Sequence, residues 1–255
     1  MPKKLIPSAG PSATARPGKI RSVRPLPEGQ PGDVAAIRRE IQAFLRRPDE
    51  RGRRIGTAKC GVYAFYDYDG EPIYIGQTYE GVGGRIGRHL TNQRTDAVAM
   101  NVLDPFEVAE IRVWLLEPFA WFTKAEIDAN LDEVRTELDC AEYTLYLRVI
   151  AESSFKAVLN EKPPSKVKLI RLPPAFTGQI IPPEIFPQRK HPDVRLARRA
   201  STIAALARVI SERKVTKWLR TTLLTQARRL ERLAAVRLAD FAGTSEDEGE
   251  LESKD

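Results

Sequence analysis

Cys60 to Leu90, CGVYAFYDYDGEPIYIGQTYEGVGGRIGRHL, is the stretch that decides the fold. Two short runs rich in Val, Ile, Tyr and Phe flank Asp69-Gly70, a dipeptide suited to the positive φ of a tight hairpin turn, so GVYAFYDYDGEPIYIG predicts two antiparallel strands. Gly81, Gly83 and Gly84 read as a flexible loop, with a helix beginning in RIGRHLTNQ. The segment also holds five tyrosines, two arginines and one of the two histidines in the chain. Phenols, tight turns and guanidinium groups gathered so closely point to a site as well as a fold.

Upstream, DVAAIRREIQAFLRR opens on Asp33 as an N-cap and spaces Val34, Ile37, Ile41 and Leu45 at helical intervals. Downstream, FEVAEIRVWLL alternates apolar and polar residues from Phe106 to Trp114 and predicts a third strand. A long helical stretch from Lys124 to Val158 follows, broken near Leu138. The order β-β-α-β-α predicts an α+β domain with a small antiparallel three-stranded sheet flanked by helices.

Around that domain the composition changes. Residues 1–32 are rich in Pro, Gly, Ser and basic side chains, and six Lys/Arg without an acid fall in the first 24 residues. Such a segment buries too little apolar area to offset its ordering entropy, so a flexible basic arm is expected. Residues 33–57 form a helix and linker, 58–162 the core domain, and 163–192 a proline-rich connector. A basic helical extension spans 193–243, and an acidic, disordered tail is expected over 244–255. Between Arg189 and Arg237 there are 14 Lys/Arg against three acids.

The 255 residues carry 41 Lys+Arg and 34 Asp+Glu, a formal charge of +7. This balance favours an anionic partner such as nucleic acid. No apolar run approaches the length of a membrane span, and the N-terminal stretch lacks the apolar region of a secretory signal, so a cytoplasmic location is expected. Cys60 and Cys140, with His89 and His191, lack the paired spacing of a zinc finger and read as free structural thiols.

Gly61-Val62-Tyr63, Tyr74-Ile75-Gly76, an arginine on the next helix and a glutamate on a later one together resemble the GIY-YIG nuclease family over Gly61 to Asn160. The resemblance implies phosphodiester hydrolysis. Tyr63 would partner the attacking water, with Tyr74 facing the same site, and Arg85 would clamp the scissile phosphate. His89, four residues on and hence on the same helical face, would hydrogen-bond the phosphate or assist proton transfer. Glu142 projects from within an apolar stripe formed by Leu138, Ala141, Leu145 and Val149, where a carboxylate needs a partner or a cation. The family's metal-binding glutamate lies on this helix, so Glu142 is expected to hold one Mg²⁺ or Mn²⁺ per active site. Asn160 matches the asparagine that orients the site.

Bland alternatives exist for each residue. Tyr63 and Tyr74 could simply pack a sheet, the preferred reading for Tyr66, Tyr68 and Tyr79, and Glu142 or its rival Glu152 could form a structural ion pair. Three positions depart from the family pattern: Val62 replaces isoleucine, Gln77 stands where some members carry lysine, and no proline precedes Asn160. Gln77, Arg88, Arg94, Lys217 and Arg220 are expected to contact nucleic acid.

The architecture is most similar to the restriction branch. It implies a homodimer on double-stranded DNA, with a cognate methyltransferase or other defence component as a further partner. Competing readings are a non-cleaving DNA-binding protein, a structure-directed repair or mobile-element nuclease, and an RNA-cleaving toxin. Retention of Tyr63, Tyr74, Arg85 and Glu142 together separates cleavage from binding alone.

Overall fold

The structure is a computed structural model that describes residues 32–91, 102–160 and 162–249. The hairpin is built on Asp67. One oxygen of its carboxylate accepts from the backbone N–H groups of Asp69 (2.9 Å) and Glu71 (3.0 Å), and Gly70 takes φ of +73° at the turn. β1 (Gly61–Tyr66) thereby pairs antiparallel with β2 (Pro72–Thr78), with Tyr63 opposite Gly76 and Phe65 opposite Tyr74.

β3 (Glu110–Leu115) pairs antiparallel on the other side of β1, as its alternation predicts. A fourth strand, β4 (Phe176–Gln179), then pairs antiparallel with β3, giving the order β2-β1-β3-β4. The expected three-stranded sheet is therefore four-stranded. Proline is confined to sheet edges, and β4 is a short edge strand between proline-rich flanks, which hid it in the connector. Gly178 permits its approach, because a Cβ there would overlap the Phe44 ring.

Helices cover both faces, which is why every residue of β1 is buried. Val62, Ala64 and Tyr66 face a core formed with Val134, Leu138, Ala141, Leu145 and Val149. Tyr63 and Phe65 face the opposite core, formed with Ile37, Ile41 and Phe44 of α1 (Gly32–Arg46) and Ile86 of α2 (Val82–Thr91).

Two helix boundaries differ from the sequence expectations. α2 begins at Val82, inside the glycine run read as a loop. A Cβ on Gly83 would lie 2.7 Å from the Gly56 carbonyl oxygen, so glycine lets the first turn of α2 press against the Ile55–Thr57 turn. The long helical stretch breaks at Asn130 rather than near Leu138. α3 (Lys124–Ala129), with a Thr123/Glu126 capping box, gives way to α4 (Leu131–Glu152), so Leu138 and Glu142 share one uninterrupted helix.

After β4 come α5 (Phe186–Lys190), α6 (Pro192–Glu212) and α7 (Lys217–Gly249). α7 extends into the segment read as an acidic tail. Leu206, Ile210 and Leu219 join the α1-side core. Arg195, Arg199 and Arg229 are also buried, and all three donate to the second carboxylate oxygen of Asp67, at 3.3, 3.0 and 2.6 Å. Arg199 further pairs with the buried Glu107 at 2.9 Å. Three arginines of the basic helical extension are thus spent fastening α6 and α7 to the hairpin turn. No helix among the described residues is long and apolar enough to cross a membrane.

Candidate active site

Gly76 leaves the space in which the site forms. A Cβ there would lie 2.6 Å from Cζ of Tyr63, so the bare backbone of β2 allows the tyrosine ring to lie across it. A Cβ on Gly61 would likewise meet the Trp114 carbonyl oxygen at 2.7 Å, so both triplet glycines answer steric demands of the sheet.

The Tyr63 hydroxyl is held between two residues of α2. Arg85 donates to it through Nε at 3.4 Å, and it lies 2.9 Å from Nε2 of His89. Arg85 and His89 are one turn apart, so a single helical face presents both to β1. His89 is 1 % exposed, and its Nδ1 has no hydrogen-bond partner. Burial, followed by the positive charges of Arg85 and Arg88, pushes its pKa down to about 3, so the ring is neutral near pH 7. Burial lifts the Tyr63 phenol to about 12 against the opposing pull of Arg85, so Tyr63 carries its proton. The half-buried Tyr74 packs its ring on Phe65 at 5.9 Å and against His89 at 5.1 Å between centroids.

Glu142 reaches the same region from α4, on the opposite face of the sheet. The Gln77 side-chain amide on β2 donates to Glu142 at 3.2 Å and to Asp139 at 2.8 Å. Burial raises the Glu142 pKa to about 7, the negative charge of Asp139 adds to the rise, and Gln77 and Arg85 oppose it. The Glu142 charge is also felt by Tyr63, so phenol, guanidinium and carboxylate are electrostatically coupled around the β2 edge.

Beside these groups opens a cavity of about 350 Å³ lined by Gln77, Thr78, Tyr79, Glu80, Arg85, Arg135 and Asp139. Tyr63 is one hydrogen bond behind Arg85, and Glu142 one behind Gln77. No group of three or more His, Cys, Asp or Glu side chains converges among the described residues. Glu142 nonetheless suits a hard cation: a largely desolvated carboxylate beside a second acid gains from a divalent charge, and the remaining coordination places can go to water and phosphate oxygens.

The other expected site residues have different settings. Asn160 brackets Ile75 of β2, accepting from its N–H at 3.1 Å and donating to its carbonyl at 3.0 Å. It is therefore a positioning residue that pins the edge strand between Tyr74 and Gly76. Arg88 makes an exposed ion pair with Glu80 at 3.3 Å. Gln77, read as a nucleic-acid contact, ties Asp139 to Glu142 and lines the cavity. Lys217 and Arg220 are exposed on the first turns of α7, and Arg94 lies outside the described residues. Glu152 is engaged elsewhere, accepting from Arg148 at 3.0 Å and from the Tyr66 hydroxyl at 3.3 Å.

Tyr79 does more than pack: its hydroxyl accepts from Arg135 at 3.4 Å, and both residues line the cavity. Asp139 and Arg135 were not singled out by the sequence reading. Asp139 stands one turn before Glu142, a spacing that could have drawn attention to it; Arg135 gave no comparable signal. Comparison with protein-family models, curated proteins and solved structures finds no match to this chain.

Proposed function

We propose that this protein is a divalent-metal-dependent DNA endonuclease of the GIY-YIG type, and that it acts as a restriction-type enzyme on double-stranded DNA. The observation that carries the reading is the Tyr63 hydroxyl held between Arg85 Nε and His89 Nε2, with Glu142 coupled to both Tyr63 and Arg85. Phosphodiester hydrolysis needs an acceptor for the proton of water and positive charge where negative charge develops. Tyr63 with His89 supplies the first, and Arg85 the second.

A protonated phenol cannot itself be the final base. It can relay: as the Tyr63 oxygen takes a proton from the attacking water, its own proton passes to the neutral Nε2 of His89. A phosphate docked on Arg85 offsets the cationic charge that holds the histidine pKa down, so substrate binding makes His89 a better acceptor. Glu142 would hold one Mg²⁺ or Mn²⁺, which supplies charge neutralisation at the leaving oxygen. Gln77 fixes the Glu142 carboxylate, and Asn160 holds the strand that carries Tyr74 and Gly76.

Arg88, Lys217 and Arg220 are candidates for sequence-independent phosphate contacts. A homodimer would set one site on each strand of a two-fold recognition sequence, and a cytoplasmic methyltransferase would protect the host sites. The test is incubation of the purified protein with unmodified plasmid in Mg²⁺ or EDTA, followed by sequencing of the ends. Discrete fragments that require the metal support the reading. Tight binding with intact DNA would replace it with a non-cleaving DNA-binding role, and a ladder or nicking would favour a structure-directed nuclease.

A further inference from the structure

Away from the candidate active site, a cavity of about 540 Å³ lies among the hairpin turn, the end of α4 and the C-terminal helices. Lys190, Arg195, Arg199, Arg229 and Arg232 contribute five basic side chains to its lining, against the carboxylates of Asp67, Asp69 and Glu71. Glu107 outside that lining offsets one more through Arg199, and a positive surplus remains.

The distribution of partners is uneven. Arg195 donates through its two Nη atoms to Asp69 at 2.7 Å and Asp67 at 3.3 Å, while its Nε is buried without a hydrogen-bond partner, 3.7 Å from Glu107. Arg229 is 2 % exposed and donates through one Nη to Asp67, while its Nε and other Nη are buried without a partner. Lys190 and Arg232 are exposed; their contacts are to the Phe186 ring at 5.9 Å and the Phe155 ring at 5.5 Å. A surplus of guanidinium and ammonium groups around one cavity is met best by an anionic oxygen. Burial already disfavours the charged form of Arg229, beyond what Asp67 restores. The long α6 also begins here, with His191 as its N-cap and Pro192 lining the cavity, so the positive end of a helix dipole adds to the field.

We propose that this cavity binds a phosphoryl group, held by Arg232 and Lys190 at its mouth and drawn in by the positive charge of Arg195, Arg199 and Arg229 in its lining. The volume far exceeds that of a phosphate ion and lies in the range of small-molecule sites, leaving room for an organic group beside Phe155. A nucleoside monophosphate and free phosphate share the chemistry. The site is separate from Tyr63, Arg85 and Glu142, and the proposal does not depend on nuclease activity.

The probes are inorganic phosphate and thymidine 5′-monophosphate, titrated into the full-length protein at constant ionic strength against chloride, with unfolding temperature and calorimetric heat as readouts. Both probes are expected to raise the unfolding temperature saturably. Lys190→Ala and Arg232→Ala, exposed changes that leave the fold intact, should each weaken binding about tenfold, the worth of one charge-assisted hydrogen bond. Any phosphate bound at Arg85 is a separate, additive component: Arg85→Ala should leave intact the component that Lys190→Ala and Arg232→Ala weaken. A tighter monophosphate, with the gain lost in Phe155→Leu, assigns the site to nucleotides; equal affinities assign it to the phosphate group alone. No saturable effect beyond that of chloride, or an effect lost in Arg85→Ala but kept in the Lys190→Ala and Arg232→Ala variants, would overturn the proposal.

Discussion

Gly76→Ala tests the link between backbone and chemistry. The added Cβ would stand 2.6 Å from Tyr63 Cζ and 3.1 Å from Cε2, whereas carbon atoms settle at about 3.5–4.0 Å. The ring must therefore recede by about 1 Å. It has little freedom to do so, because it is fully buried between Phe65 and His89, at centroid separations of 5.3 and 5.8 Å. Overpacking of this kind costs ~1–3 kcal/mol, offset in part by ~0.4–1 kcal/mol from the stiffer unfolded chain. A net loss of about 1–2 kcal/mol is expected in urea unfolding. The 2.9 Å contact to His89 and the 3.4 Å contact from Arg85 cannot both survive, and a misplacement of this size costs on the order of 10²-fold in rate. Gly84→Ala is the control, since a Cβ there meets nothing within 4 Å. If Gly76→Ala cleaves plasmid DNA at the wild-type rate in single-turnover assays, the placement of the Tyr63 hydroxyl is irrelevant and the relay is wrong.

Asp67→Asn should destabilise the chain by about 3–5 kcal/mol in urea unfolding, because it leaves three buried guanidinium groups around a neutral amide. Glu142→Gln should have the opposite effect. The folded pKa of about 7 lies above the ordinary value of 4.5, so the penalty for its charge is absent below the ordinary value and complete above pH 7. Unfolding at pH 8 should show the glutamine variant stabler by about 2 kcal/mol, and the difference should vanish near pH 4. Because proton and cation compete for the Glu142 carboxylate, the Mg²⁺ concentration needed for half-maximal cleavage should rise as the pH falls below about 7. Asn160→Ala removes both bonds that pin Ile75 and should cost about 1–2 kcal/mol in stability, with the turnover rate falling while DNA affinity stays constant.

The hairpin and third strand were legible because local signals agreed: Asp69-Gly70 can form only a few turns, and β-prone runs lie on both sides. β4 was not legible, since four residues among prolines carry too little pattern to distinguish an edge strand from a connector. The convergence of Tyr63, Arg85 and His89 followed from one strand register and one helical turn. Glu142 could be placed on its helix, but not the Gln77 bridge that joins it to β2, because that contact joins side chains 65 residues apart and depends on how α4 packs on the sheet. The C-terminal arginines were the hardest to read. A run of positive charge looks the same whether it faces solvent or, like Arg195, Arg199 and Arg229, folds inward onto Asp67 and Glu107 contributed by distant segments.

The most direct measurement is single-turnover cleavage of DNA at its mapped site by the wild-type protein, Arg85→Ala and Glu142→Gln, with binding to the same duplex recorded in parallel. If guanidinium and carboxylate serve the reaction itself, both variants bind within several-fold of wild type and cut on the order of 10³-fold more slowly. Wild-type cutting by Glu142→Gln in Mg²⁺ would contradict that claim.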